Sequence, residues 1–160
     1  MTCEQIDKKE IMKKAIEFCK STSSKGIGGP FGAAVVKDNK IICITSNTVL
    51  KDNDPTAHAE INAIREACKI LGTYDLTGCE LYATGAPCPM CLSAIIWANI
   101  KDVYYCNTVK DAEEIGFRDE PIYKYIKGEK SSVNLEIKRV ELKEGKDLYV
   151  NYAKNNSTIY

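Results

Sequence analysis

The sequence predicts one α/β domain in which helices cover a partly parallel sheet. Two observations lead there. Short apolar runs of strand length alternate with segments whose apolar residues recur at helical spacing. The first two runs are also split by only four polar residues, which marks a hairpin. The length of 160 residues fits a single domain spanning 1–160. A chain of that size buries roughly 68–70% of its unfolded surface, so it needs no disulfide or other staple to fold.

Each element follows from local pattern. Residues 4–20 set Ile11, Met12, Ala15, Ile16, Phe18 and Cys19 at helical spacing, with Thr2 and Gln5 placed to form a capping box. A loop rich in Ser and Gly runs to Pro30. Residues 33–36 and 41–44 are two strands joined across Lys37-Asp38-Asn39-Lys40. The turn Asn53-Asp54-Pro55-Thr56 then opens a helix that runs through Ile61, Ile64, Ala67 and Cys68 and stops at Gly72. Residues 81–84 form a buried strand. Pro87-Cys88-Pro89 starts a helix carrying Leu92, Ala94, Ile95, Ile96 and Trp97. Residues 103–106 are a strand and 109–115 a short helix. After Gly116 the pattern weakens; residues 135–142 alternate like a strand, and 147–154 form a C-terminal helix. The sum is a mixed sheet of about five strands.

Composition weighs against some functions without excluding them. Lys and Arg number 22, as do Asp and Glu, so the formal net charge is zero. A neutral chain has no bulk field to steer it onto nucleic acid or a membrane surface. No signal segment opens the sequence, and no apolar run approaches the ~18–20 residues that span a bilayer. The expected compartment is the reducing cytoplasm, where the eight cysteines are core residues or metal ligands, not disulfides. Cys19, Cys43, Cys68, Cys79 and Cys106 sit in apolar stretches and are expected to be small buried hydrophobes.

The chemistry concentrates in two motifs, His58-Ala59-Glu60 and Pro87-Cys88-Pro89-Met90-Cys91. Together they form the H-x-E…P-C-x-x-C pattern of zinc-dependent nucleobase deaminases. A catalytic zinc keeps three protein ligands and one open position; His58, Cys88 and Cys91 supply three, and His58 is the only histidine in the chain. Both motifs lie at predicted helix starts, where backbone N–H groups and the helix dipole favour thiolate. Glu60 is the proton shuttle, since a structural zinc has no use for a carboxylate beside it. Positions i and i+2 of a helix do not share a face, so His58 and Glu60 converge only in a first turn. Taken singly, a C-x-x-C is a redox pair as readily as a metal site, and a lone histidine is commonly a core residue. The loop Gly26-Ile27-Gly28-Gly29-Pro30-Phe31-Gly32 is not a phosphate cradle, because it follows a helix and precedes a strand; its glycines allow a close backbone approach.

These residues resemble the cytidine deaminase-like superfamily over roughly residues 4–125, and within it the small bacterial guanine deaminases. The resemblance rests on residues 26–33, on Asn53 to Glu60, on Pro87 to Cys91, and on Gly116-Phe117-Arg118-Asp119 with Ile122-Tyr123 beyond. It implies a three-layer α/β/α domain with one Zn²⁺ per subunit that hydrolyses guanine to xanthine and ammonia. His58, Cys88 and Cys91 match the metal ligands and Glu60 the proton shuttle. Phe31, Asn47, Ala59, Trp97, Asp119 and Tyr160 match positions that contact the base. A homodimer is implied in which residues of about 130–160 are exchanged, Tyr160 closing the partner's pocket. One departure stands out: Ala86 occupies the position where many relatives carry Glu.

Without the resemblance, Trp97 is equally a core residue of an apolar helix, Asn47 a turn residue, and Asp119 a solvated loop acid. Other readings are a deaminase of guanosine, cytosine or tRNA adenosine, or a zinc-stabilised binding module without catalysis. A tRNA editor would carry basic clusters beside its pocket; Lys124, Lys127 and Lys130 are scattered among acids.

Overall fold

The computed structural model describes residues 7–155 and 158–160. Asp7 caps the first helix, its carboxylate accepting the Lys9 backbone N–H at 3.0 Å. The Thr2–Gln5 pair lies outside the described residues. Helix α1 (Lys8–Ser23) buries Ile11, Ala15 and Cys19 along one stripe and turns its lysines outward.

The hairpin forms as expected. Strands β1 (Gly32–Lys37) and β2 (Lys40–Ser46) pair antiparallel. Asp38 and Asn39 between them take φ of 49° and 59°. Two left-handed residues make the turn that matches the twist of the flanking strands, and Asp and Asn tolerate it well. A short helix α2 (Val49–Asp52) and α3 (Ala59–Leu71) follow. Gly72 ends α3 at φ 67°. Then come β3 (Cys79–Gly85), α4 (Pro89–Trp97), β4 (Asp102–Asn107), α5 (Val109–Glu114), α6 (Glu120–Ile126) and α7 (Lys143–Lys154).

The sheet order is β2-β1-β3-β4. The β1–β3 pair is antiparallel and β3–β4 is parallel, crossed over through α4. The sheet is therefore mixed, with β1 and β3 at its centre. Alternate residues of these two strands serve opposite faces. Ala33, Val35, Leu81 and Ala83 meet Ala59, Ala63 and Ala67 of α3 and Ile95 of α4. Ala34, Val36 and Tyr82 meet Ile11 of α1 on the other face. Helices on both sides of one sheet make three layers, and the double burial explains the unbroken apolar runs of the central strands.

Among the described residues the sheet has four strands, not five. Residues 135–142 join no ladder, and Ile137 and Val140 are 82% and 80% exposed. Alternation reports a strand only where an edge is in reach to accept its hydrogen bonds; this segment departs from the domain after α6. Helix α7 likewise buries no residue. Two cysteines also differ from expectation. Cys106 is exposed, because β4 is the edge strand and its last residues are open to solvent, and Cys68 is half-buried on α3. Helices α2 and α6, at four and seven residues, are too short for their periodicity to register in sequence.

Candidate active site

Two helix starts build the site. His58 is the N-cap of α3 and Cys88 the N-cap of α4, each in extended conformation. Pro89 at the first position of α4 pre-sets helical φ where no N–H is needed. Cys91 lies one turn in, and its N–H points at the Cys88 sulfur at 3.5 Å. Ile61 of α3 packs with Cys88 and Cys91, locking the two helix ends together over the sheet.

The His58 Nδ1 atom stands 3.6 Å from Cys88 Sγ and 3.6 Å from Cys91 Sγ. Bonds of about 2.05 Å to nitrogen and about 2.3 Å to sulfur, at the tetrahedral angle, require an N···S separation of about 3.6 Å. All three donor atoms lie within 4.8 Å of one another. One imidazole and two thiols at this spacing fit a zinc ion with its fourth position open. The Cys91 thiol donates to Cys88, which together with His58 draws the Cys88 thiol down to about 4. Cys91, as donor and beside Glu60, is pushed up. The hydrogen bond that His58 gives to the Cys88 sulfur raises His58.

Glu60 is 7% exposed, and burial raises its carboxyl to about 7. Because His58 precedes α3 in extended conformation, it escapes the rotation of a full helical turn. Both side chains then line one cavity, with Phe31, Asn47, Ala86, Cys88, Phe117 and Asp119. This is the convergence the first-turn placement demands.

Asn47 follows β2 and is 5% exposed. Its Oδ1 accepts the N–H of Gly29 at 3.2 Å and of Val49 at 3.1 Å. With the oxygen committed twice, the Nδ2 group is the donor left for a ligand. Gly28 presses against it: a Cβ there would lie 2.6 Å from the Asn47 carbonyl carbon and closer still to its two oxygens. That is the close approach for which the loop carries glycine. Phe31 and Phe117 meet edge to face, centroids 4.7 Å apart at 87°, and wall the cavity. Asp119 caps α6 through its carbonyl while its carboxylate makes no bond to that helix, and burial followed by the Cys88 charge raises its carboxyl.

The structure thus brings together His58, Glu60, Cys88, Cys91, Phe31, Asn47 and Asp119. It sets the remaining three elsewhere. Ala59 is buried in the main core and its carbonyl accepts from the Thr45 hydroxyl at 2.7 Å. Trp97 is 67% exposed at the far end of α4, and Tyr160 of the same chain rests against it at 6.2 Å. Together with Tyr74 they line a separate apolar groove between α3 and α4. Two residues joined the site unforeseen. Phe117 lines the cavity, and Tyr123 bonds to the loop before Cys88. Both stand in the Gly116–Tyr123 segment, which carried part of the family resemblance but gave Phe117 and Tyr123 no role.

Residues 5–107 match the family of the cytidine and deoxycytidylate deaminase zinc-binding region. The guanine deaminase of Bacillus subtilis is 53% identical over 115 residues, covering 72% of this chain and 74% of that one. A tRNA-specific adenosine deaminase of Aquifex aeolicus is 44% identical over 100 residues, covering 62% and 66%. The crystal structure of the Bacillus subtilis guanine deaminase superposes with a TM-score of 0.90 at 42% identity, over 97% of this chain and 99% of that one.

Proposed function

The chain belongs to the cytidine and deoxycytidylate deaminase zinc-binding family, and from that premise we propose that it hydrolyses guanine to xanthine and ammonia. The observation that carries the chemistry is a buried carboxylate, Glu60, facing one cavity with the His58-Cys88-Cys91 donor set. Those three residues hold one zinc ion per chain, which supplies a Lewis acid that activates water. Glu60 takes one proton from the attacking water and gives it to a ring nitrogen, then carries the second proton, from the hydroxyl added at C2, to the amine, so that the C2–N bond breaks, ammonia leaves and C2 keeps the oxygen as a carbonyl. Its burial favours such a role, since a carboxyl raised to about 7 both accepts and releases a proton near neutral pH.

The walls support a bare base as substrate. Phe31 and Phe117 offer apolar ring faces, while Asn47 Nδ2 offers a donor and the Asp119 carboxylate an acceptor. Guanine presents a carbonyl acceptor and ring N–H donors to match. The relatives with guanine deaminase activity in their names favour this base. A panel assay of ammonia release from guanine, guanosine, cytosine, cytidine and adenine tests it. Guanine leads by a wide margin; turnover led by a nucleoside would move the substrate while leaving the chemistry.

The enzyme is a cytoplasmic homodimer in which residues of about 130–160 cross to the partner. Support comes from an arm whose helix α7 has no buried residue and whose Leu135, Ile137, Val140 and Leu142 are all exposed, its Tyr160 meeting the exposed rings of Trp97 and Tyr74, and from the edge strand β4. In the dimer Tyr160 closes the partner's pocket, and Trp97 serves the site from the subunit boundary. The seven described cysteines are all free, as a reducing compartment keeps them. Mixing a Glu60→Gln chain with a chain truncated before Tyr160 should restore activity if the arms are exchanged, because one site then combines an intact Glu60 with an intact arm. Two inactive parents that stay inactive when mixed and refolded would refute the exchange.

A further inference from the structure

We propose that Tyr123 is a positioning residue that sets the distance between Asp119 and the His58-Cys88-Cys91 centre, and so controls how tightly the base is held. Its substrate rests on the guanine reading above. Asp119 caps α6, yet its carboxylate makes no bond to that helix. A capping acid ordinarily accepts a backbone N–H of its own first turn; this one is left for the cavity. Its position is therefore set by where α6 sits as a body.

Two side-chain contacts tie that segment to the catalytic domain. Phe117 packs edge to face on Phe31 at 4.7 Å. Tyr123 donates its hydroxyl proton to the Pro87 carbonyl at 2.7 Å. Pro87 immediately precedes the ligand Cys88, so the bond ends on the loop that delivers a metal donor. Tyr123 lies four residues after Asp119, one helical turn on, and its N–H bonds the Asp119 carbonyl at 3.2 Å. Residues so spaced share a helix face. The face that carries Asp119 to the cavity is thus the face pinned to the Cys88 loop. With the pin removed, α6 pivots about Phe117 and the Asp119 carboxylate drifts, whereas Glu60, on α3, does not move.

The hydroxyl should consequently affect binding more than turnover. Burial, and the charges of Cys88, Asp119, Cys91 and Glu60 around it, raise the Tyr123 phenol, which keeps its proton and remains a donor.

The test is Tyr123→Phe, which removes the hydroxyl and keeps the ring, with wild-type enzyme alongside. The KM for guanine should rise about tenfold with kcat within about twofold, while elemental analysis still finds one zinc per chain. In an Asp119→Asn background the same change should have little further effect on KM, because the group it positions is already altered. An unchanged KM in Tyr123→Phe would overturn the assignment. So would effects that add in full in the double variant, or a fall in zinc content, or a Tyr123→Phe chain unfolded at room temperature, since the hydroxyl would then serve the fold and not the pocket. A wild-type enzyme inert toward guanine but active on another base of the panel would refute the guanine reading alone; the same comparison would then be run with that base.

Discussion

Gly28→Ala adds one methyl group where the loop meets Asn47. The built Cβ lies 2.6 Å from the Asn47 carbonyl carbon, with two oxygens nearer. Ordinary contact is about 3.5 Å or more, and the nearer oxygens set the limit, so loop and asparagine must separate by more than about an ångström. That movement stretches the Gly29 N–H bond to Asn47 Oδ1, already 3.2 Å long. Overpacking of this kind costs about 1–3 kcal/mol, and the lost hydrogen bond about 1 kcal/mol more. At about 2–4 °C per kcal/mol for a chain of this length, the melting midpoint should fall by roughly 4–16 °C. Function should suffer too, because the Asn47 amide loses the bond that fixes its oxygen and leaves its Nδ2 for the base. One misdirected hydrogen bond is worth about 1–1.5 kcal/mol, so kcat/KM for guanine should drop about tenfold. Gly26→Ala provides the control in the same loop. A Cβ there meets nothing within 4 Å, but φ is +68°. The left-handed conformation costs about 1–2 kcal/mol and should lower the midpoint by about 2–8 °C with kinetics unchanged. Thermal denaturation and steady-state ammonia release measure both. Normal kcat/KM in Gly28→Ala, or equal kinetic losses in the two variants, would refute the role given to Asn47.

Glu60→Gln should keep the fold and the zinc but slow ammonia release by about 10²–10⁴, the usual worth of a placed proton carrier; turnover within tenfold of wild type argues for another base. Cys91→Ala should leave two donors of three and lower zinc content well below one per chain, as read by elemental analysis, with activity falling in proportion. Full zinc occupancy in that variant would contradict the donor set. Leu81→Ala empties a fully buried site in the central strand and should cost about 2.7–5 kcal/mol in chemical denaturation. A loss under about 1 kcal/mol would mean the core there collapses or is loosely packed.

The sequence by itself determined the order of elements and the reactive centre. Double burial of β1 and β3 writes unbroken apolar runs, and one-sided burial of α3 writes a stripe through Ile61 and Ala67, so local pattern reports them directly. The metal donors and Glu60 were legible because their chemistry demands particular residue types at fixed short spacings, His58 with Glu60 and Cys88 with Cys91. Tertiary structure alone decided what surrounds them. The orientation of the Asn47 amide depends on N–H groups from Gly29 and Val49, the first of them 18 residues away. Phe117 and Tyr123 enter the site on a loop and on the seven-residue helix that follows it, whose place is set by contacts with Phe31 and Pro87, far off in the chain. The same limit explains the overcounted strand: residues 135–142 alternate as a strand does, but pairing requires a neighbouring edge, and no local pattern states whether one is within reach. Spacing along the chain encodes what short-range geometry can enforce; contacts between distant segments are settled only when the layers pack.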